Sequence, residues 1–443
     1  SIHEAALINY GSMTLGLNKI GRLEANITPL SDGMKAYLTL PFETPWRVVM
    51  VADSAVQLTK NKMILSLNQS PRMNFDWVEP IKFLGIWWAM LIGVWSFTAS
   101  ERQGATTEHA LEYLDWCEKL GISGLLIEGW SDQNLAKKLD KKKILERAKQ
   151  RNIEIVAQCE TASQIDNYEK NLVKQFDELE ALGIRYLKLD YSGPKMLIKG
   201  REEFHQSQAG VLHFSNVLKL AAQKKMMLNV HESIKGTGLE RTYPNLLCTE
   251  GAKGQEYEGG GLNSKHAVIL PFTRMLAGGF DFTPGIFDLN NPAKKVYSTL
   301  ARQLAYYVVF HSGMQMLADR PESYEKNRDA LSFIQKVPVN FEIEVPLLGK
   351  IGEYYAVARR GRGETDWYIG GIVDDMARTM KIKLSFLEKD VKYNAFIFRD
   401  GDIADFRMNP TDLKIERLVV DAEDELEIPV VGMGGFAVRL MKV

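Results

Sequence analysis

The carboxylates Glu128, Glu160, Asp190, Glu232, Glu250 and Asp281, together with His231, each follow a short apolar run. If those runs are strands of one barrel, the side chains that close them converge at its rim, where each must reach water or find a proton, a cation or a metal. Asp190, in "YLKLDYSG", suits an ionised nucleophile: it has no proton to lose, and the ester it forms at an anomeric carbon can later be cleaved by water. Glu256 follows Glu250 in "LLCTEGAKGQEYE" and is a candidate proton donor. A retaining glycosidase sets its two carboxyl groups about 5 to 5.5 Å apart and an inverting one about 6.5 to 9.5 Å, a gap that sequence does not measure. The donor must keep its proton near neutrality, which burial or adjacent negative charge accomplishes. Any one of these carboxylates, taken alone, is equally a helix cap or a solvent-facing loop residue; their recurrence in successive units points to a site.

Too many unpaired carboxylates destabilise a fold, and a hard divalent cation relieves them. Calcium favours about six to eight oxygen ligands, so Glu232, Glu250 and Glu256 are candidate donors, with ordinary salt bridges as the competing reading. Zinc fits poorly: His231 adjoins Glu232, but there is no HExxH helix and the remaining histidines are scattered. His231 reads as a substrate hydrogen-bond donor or as a satisfied structural histidine. Trp130 and Tyr191, like Trp87 and Trp88, follow or end candidate strands and could stack on the apolar face of a sugar; core packing is the alternative for each. "YEGGGLNSK" has neither the Walker A nor the dinucleotide spacing.

The elements that must position these residues follow from periodicity. Residues 1–78 alternate short strand-like segments, such as "MKAYLTLPF" and "WRVVMVAD", with turn residues, and read as part of an N-terminal β region, short or truncated. Residues 79–336 alternate apolar runs ("FLGIWWAM", "ISGLLIEGW", "IEIVAQCET", "IRYLKLDYSG", "KKMMLNVHES", "NLLCTEG") with helical segments, which predicts a (β/α)₈ TIM barrel. "AGGFDFTPG" and "LAYYVVFHSGMQMLAD" are the next candidate turns of the barrel, the latter equally readable as a buried helix. Helices should stop at Gly121 and Gly183. Residues 337–443 return to alternation and predict a C-terminal β-sandwich.

The 443 residues are 45% hydrophobic, enough for two or three domains with substantial cores. Lys and Arg number 55 against 56 Asp and Glu, so no net field draws a polyanion, and no nucleic-acid partner is expected. Cys117, Cys159 and Cys248 are too few and too far apart for a disulfide scaffold or thiolate metal site. The apolar run from Phe83 to Phe97 falls short of the roughly 20 residues that span a bilayer, and no leader pattern precedes it. Localisation stays open, periplasmic or extracellular if a leader has been removed; oligomeric state is not legible.

At Asp190, "VHES", "RTYPNLLCTEGAKGQEYE" and "LPFTRMLAGGFDFTPG" the chain resembles glycoside hydrolase family 97, over nearly its whole length. The resemblance implies a calcium-dependent, exo-acting enzyme on oligosaccharides or other α-glycosides, with a large N-terminal β-sandwich that is mostly absent here. It implies Asp190 as nucleophile of the retaining branch and Glu256 as acid/base; the inverting branch lacks the aspartate and uses a glutamate at the position of Glu232. It further implies Glu4, Glu232, Glu250 and Glu256 as calcium ligands, and Glu160, in "AQCET", as a substrate-binding rim glutamate. The retaining branch implies α-galactosidase activity, with α-glucosidase or a related pyranosidase as the enzymatic alternative. A non-catalytic, calcium-dependent glycan-binding protein is the alternative from another class.

Overall fold

The computed structural model describes residues 1–161, 165–232 and 234–443. Its centre is a parallel sheet whose strands run, in spatial order, Leu246–Thr249, Met227–His231, Tyr186–Asp190, Glu154–Glu160, Gly124–Ile127, Ile81–Gly85 and Met314–Leu317. Between the two outermost strands lies the segment 279–284. Thr249 bridges Phe280, the Phe280 amide donates to the His311 carbonyl at 2.8 Å, and the Ala318 amide donates to the Pro284 carbonyl at 3.1 Å. This irregular segment closes the cylinder as its seventh stave, as the barrel fold predicts.

Strand pleating sorts the side chains, because alternate residues face opposite sides. Ile81, Phe83, Leu126, Val156, Tyr186, Met227, Cys248, Met314 and Met316 fill the lower interior as one apolar cluster, while Ile155, Leu187, Leu189, Leu228 and Val230 join the core under the outer helices. Moving two residues on from the inward apolar layer reaches Glu128, Gln158, Lys188 and Asn229, all buried polar groups. Asp190 and His231 stand one further step up the same faces.

The helix Thr107–Leu120 begins at Thr106, whose hydroxyl accepts from the His109 amide, and ends at Gly121 with φ 66°. Ile165–Ala181 is followed by Gly183 at φ 74°. Both glycines take the left-handed closing conformation that the sequence predicts. "FLGIWWAM" differs from expectation: the strand stops at Gly85 and Trp87–Leu91 is a short helix. Likewise "LAYYVVFHSGMQMLAD" divides into the helix Leu300–Val309 and the strand Met314–Leu317.

In the N-terminal region Ile2–Ala5 pairs with Trp46–Val49, and Met13–Leu17 forms a hairpin with Leu23–Ile27. "MKAYLTLPF" is not a strand. Gln208, on a barrel helix, takes the Tyr37 amide at 2.8 Å and gives to the Tyr37 carbonyl at 2.9 Å, so this stretch docks on the barrel instead of entering a sheet. Leu15, Leu17 and Leu23 of the hairpin are exposed, with no second sheet over them among the described residues.

The C-terminal region is a six-stranded antiparallel sheet from Phe341 to Lys442, with a second, two-stranded sheet of Arg378–Lys383 and Glu425–Val430 against it. Ala356, Ala358, Ile369 and Val438 meet Ile382, Leu426 and Ile428 between the sheets. The opposite face, with Tyr355, Val357 and Ile372, belongs to the barrel's core. The helix Leu300–Val309 lies between, buried on all sides; each fully buried Leu or Val contributes about 1.5–3 kcal/mol. A Cβ on Gly370 would sit 2.7 Å from the Ala305 carbonyl oxygen, so glycine permits this close approach.

Arg302 ties these layers together. Fully buried, it donates from Nε to the Tyr306 hydroxyl at 2.5 Å and from Nη1 to the Val373 carbonyl at 2.8 Å, with Glu258 at 3.7 Å. Tyr306 in turn donates to Glu258 at 2.7 Å, two residues from Glu256. Removing one partner of such a pair strands the other charge in a dry site, at roughly 3–5 kcal/mol. Arg302→Ala is therefore expected to lower the thermal unfolding midpoint of the full chain by several degrees; a midpoint unchanged from the parent would contradict this account of the interface.

Candidate active site

Asp190 closes the fourth barrel strand, and Lys188 precedes it by one pleat on the same inward face. Lys188 Nζ lies 2.5 Å from Asp190 Oδ1, and Gln158 Nε2 donates to Oδ2 at 2.8 Å. Burial opposes the charge on Asp190, but the Lys188 ammonium, His231 and the hydrogen bonds from Lys188 and Gln158 outweigh it and hold the carboxyl below the usual aspartate value. Lys188 is raised in return: its own burial is overcome by Asp190 and Glu128. An ionised carboxylate thus stands in a largely desolvated place.

His231 closes the fifth strand. Its Nε2 meets Asp281 Oδ2 at 2.9 Å, while Nδ1 lies 3.9 Å from Asp190 Oδ1 and 3.8 Å from Glu250 Oε2. Burial and the Lys188 charge disfavour the imidazolium, yet Glu250 and Asp281 prevail and raise it to about 9. Asp281 also accepts from Asn229 and, at 3.1 Å, from the Thr283 amide. These bonds fix the ring through a carboxylate supplied by the irregular seventh stave.

Glu256 lies in the turn Gln255–Tyr257, where Thr283 Oγ1 donates to its Oε2 at 3.3 Å. Burial, then the charge of Glu250, raises its pKa, the state a proton donor requires. Contacts therefore run from Asp190 through His231, Asp281 and Thr283 to Glu256. Thr283 and Glu232 both have positive φ, 53° and 51°; a non-glycine residue held in the left-handed region costs on the order of 1–3 kcal/mol, and such outliers gather at functional sites.

The carboxyl of Glu232 is raised to about 7, by burial first and then by Asp190 and Glu250. Its amide donates to Glu250 Oε2 at 3.3 Å, and its own Oε2 accepts from the Tyr191 amide at 3.3 Å. Arg274 fastens the Glu250 backbone, giving Nε to its carbonyl at 2.8 Å and Nη2 to the Thr249 carbonyl at 2.9 Å. The charges of Glu232, Glu250 and Glu256 all act on Tyr257, raising its pKa after burial does. Among the described residues no three metal-ligating side chains converge tightly enough to enclose an ion as they stand. Glu4 is fully buried and already satisfied: Ser12 and Met13 donate to Oε1, which also lies 3.0 Å from Lys235, and Arg47 reaches Oε2 at 2.7 Å.

A cavity of about 330 Å³ opens above the nucleophile candidate, lined by Asp190, Glu160, Glu128, Glu232, Lys188 and Trp87. That volume suits a small ligand. Glu160 accepts there from the Ser192 amide at 3.2 Å and hydroxyl at 2.7 Å. Trp130 and Tyr191 stand elsewhere. Trp130 is buried beneath Lys141, lining a different hollow, and Tyr191 is buried with its hydroxyl on His213 Nε2 at 2.9 Å. The aromatic side chains lining the cleft are Trp87 and Phe97. Lys188 escaped the sequence reading, although its position two residues before Asp190 places it on the same strand face; Gln158, in "AQCET", stands out as a residue able to alter substrate contacts, and its bond to Asp190 is what the structure adds.

The profile described as "Glycoside hydrolase 97" matches residues 87–252, flanked by "Glycosyl-hydrolase 97 N-terminal" over 1–70 and "Glycosyl-hydrolase 97 C-terminal, oligomerisation" over 341–441. A retaining alpha-galactosidase of Bacteroides thetaiotaomicron is 28% identical over 423 residues, covering 90% of this chain and 60% of the relative. A probable retaining alpha-galactosidase of Streptomyces bingchenggensis is 26% identical over 452 residues, covering 98% and 62%. The chain thus spans less than two thirds of these curated relatives. A family 97 enzyme from a Pseudoalteromonas species, solved with acarbose, superposes with a TM-score of 0.96 at 36% identity, covering 100% of this chain and 72% of that one. With family profiles matching the barrel and both flanking regions, and a 36% identical family 97 structure covered over 72% of its length, the chain belongs to glycoside hydrolase family 97.

Proposed function

We propose that this chain hydrolyses α-glycosides with retention, acting from the nonreducing end and on α-galactosides first. The observation that carries the proposal is the buried contact of Asp190 with Lys188 at 2.5 Å and with Gln158 at 2.8 Å, which favours its ionised form, while burial and Glu250 raise the pKa of Glu256. Asp190 attacks the anomeric carbon as Glu256 gives its proton to the departing glycosidic oxygen, leaving a glycosyl ester on Asp190. Glu256, now a carboxylate, takes a proton from water; the water oxygen bonds to the anomeric carbon and Asp190 leaves with its electron pair. Glu160 and Glu128 line the cleft and serve the sugar hydroxyls; Trp87 faces its apolar side.

Glu232, Glu250 and Glu256 would hold a calcium ion, carboxyl oxygens being the hard donors it favours. Bound there, it would supply electrostatic stabilisation and help place the sugar. Glu4 joins that set only if it exchanges its contacts with Lys235 and Arg47.

The sugar follows the names of the curated relatives, both alpha-galactosidases. An α-glucosidase is the second reading, because the more identical structural neighbour was solved with acarbose and, in a variant form, with panose.

Hydrolysis of aryl α-galactosides and α-glucosides followed by NMR should release the α-anomer first; a β-anomer would reject retention. Asp190→Asn should cut turnover by at least about 10³-fold in folded protein, whereas near-parent rates would remove Asp190 from the chemistry. The pH profile carries a further test. Activity that needs the Asp190 carboxylate is present above its depressed pKa and lost as pH falls through it. Lys188→Met should move that acid limb upward by roughly 1 to 3 pH units, and an unmoved limb would show that the ion pair does not set it. Chelation should lower the rate and added calcium restore it; full activity after verified removal would exclude a catalytic calcium.

A further inference from the structure

At the opposite end of the barrel from Asp190, a cavity of about 420 Å³ lies where three parts of the chain meet. Pro80, Leu246 and Gly313, at the starts of barrel strands, form one wall; Lys62 contributes from the N-terminal region and Arg359 from the C-terminal sheet. Arg359 is only 4% exposed and faces the barrel side of its strand, as Tyr355 and Val357 do. Its Nη2 pairs with Glu344 at 2.7 Å and its guanidinium lies over the Phe341 ring. Nε and Nη1 have no hydrogen-bond acceptor among the described residues, and neither has Nδ1 of His311 on the same wall. Buried charged donors left without acceptors cost several kcal/mol in proteins, so an acceptor that enters recovers much of that cost.

The charge on the walls fits the same conclusion. Lys62 pairs with Glu344 at 3.5 Å, as Arg359 does at 2.7 Å, and Arg362 and Glu240 also line the hollow. Both Glu240 oxygens are buried without a partner among the described residues, and burial raises this carboxyl to about 7. Near neutrality much of Glu240 is therefore protonated, which leaves an excess of positive charge and one acid proton free to donate. Leu246, Pro271 and Tyr355 add apolar wall.

We propose that this cavity is a second ligand site, for a small hydroxylated carboxylate: the carboxylate on the open donors of Arg359, a hydroxyl on Glu240, the carbon skeleton on Leu246, Pro271 and Tyr355. A ligand there touches all three regions of the chain, so its binding stabilises the fold by RT ln(1 + [L]/Kd). The site is separate from the Asp190 cleft and stands whether or not the proposed hydrolysis does.

The test is the thermal unfolding of the full chain titrated with D-glucuronate as probe, against sodium chloride at equal ionic strength. The midpoint should rise and saturate with glucuronate alone, Arg359→Gln should weaken that response at least about tenfold (about 1.4 kcal/mol), and Asp190→Asn should leave it intact. If Arg359→Gln does not fold, Arg359→Lys, which keeps the charge but removes the two unpaired nitrogens, takes its place, and a glucuronate-soaked crystal should show density against Arg359. No saturable rise, a rise that survives loss of the arginine, density absent from this cavity, or a response lost in Asp190→Asn would each overturn the proposal.

Discussion

Lys188 and Asp190 project from one face of one short strand, and the 2.5 Å contact between them is the interaction on which the site depends. A β-strand sends every second residue to the same side, so once Tyr186 is packed into the barrel's apolar interior, Lys188 and then Asp190 must follow it inward. Neither charge could stand alone in that setting. Together, with Gln158 satisfying the other carboxylate oxygen, they keep a desolvated aspartate ionised. The same pleat on the fifth strand carries Met227, Asn229 and His231, so the polar upper layer is a consequence of how the lower layer packs.

Around that pair the barrel distributes charge unequally. His231, held by Asp281 and poised between Asp190 and Glu250, stays cationic to high pH, which supports the ionised state on its Asp190 side. At Glu232 and Glu256 burial raises the pKa values, and the neighbouring carboxylate charges add to the effect. One group lacking its proton and another keeping it is the asymmetry acid/base chemistry needs, although Glu256 does not line the cleft that Asp190 lines. The turn bearing Glu256 is also anchored from behind, through Glu258, Tyr306 and Arg302 to the Val373 carbonyl of the C-terminal sheet. The flanking domain therefore helps set the position of the proton donor candidate.

Much of this was legible in the residues. Alternating apolar runs and helices, with Gly121 and Gly183 as stops, announced the barrel, and carboxylates after strands announced its rim. The seventh stave was harder: "AGGFDFTPG" makes a single bridge and otherwise borrows irregular hydrogen bonds, so it carries no strand periodicity, although it brings Asp281 and Thr283 to the site. Apolar alternation misled at residues 34–42, where pairing with Gln208 replaces a sheet, and at Trp87, where a helix begins two residues after the strand's last residue, Gly85. Aromatic type alone could not tell Trp130 and Tyr191, buried away from the cleft, from Trp87, which lines it.

The central claim, that the carboxylate paired with Lys188 attacks the sugar, is tested most directly by trapping the ester. The chain would be incubated with a slowly turned-over fluorinated α-glycoside and its peptides mapped by mass spectrometry. A single glycosyl adduct on the peptide carrying Asp190, absent after denaturation before labelling, is the result expected. An adduct on another carboxylate, or steady turnover with no adduct under conditions that trap a reference retaining enzyme, would contradict it.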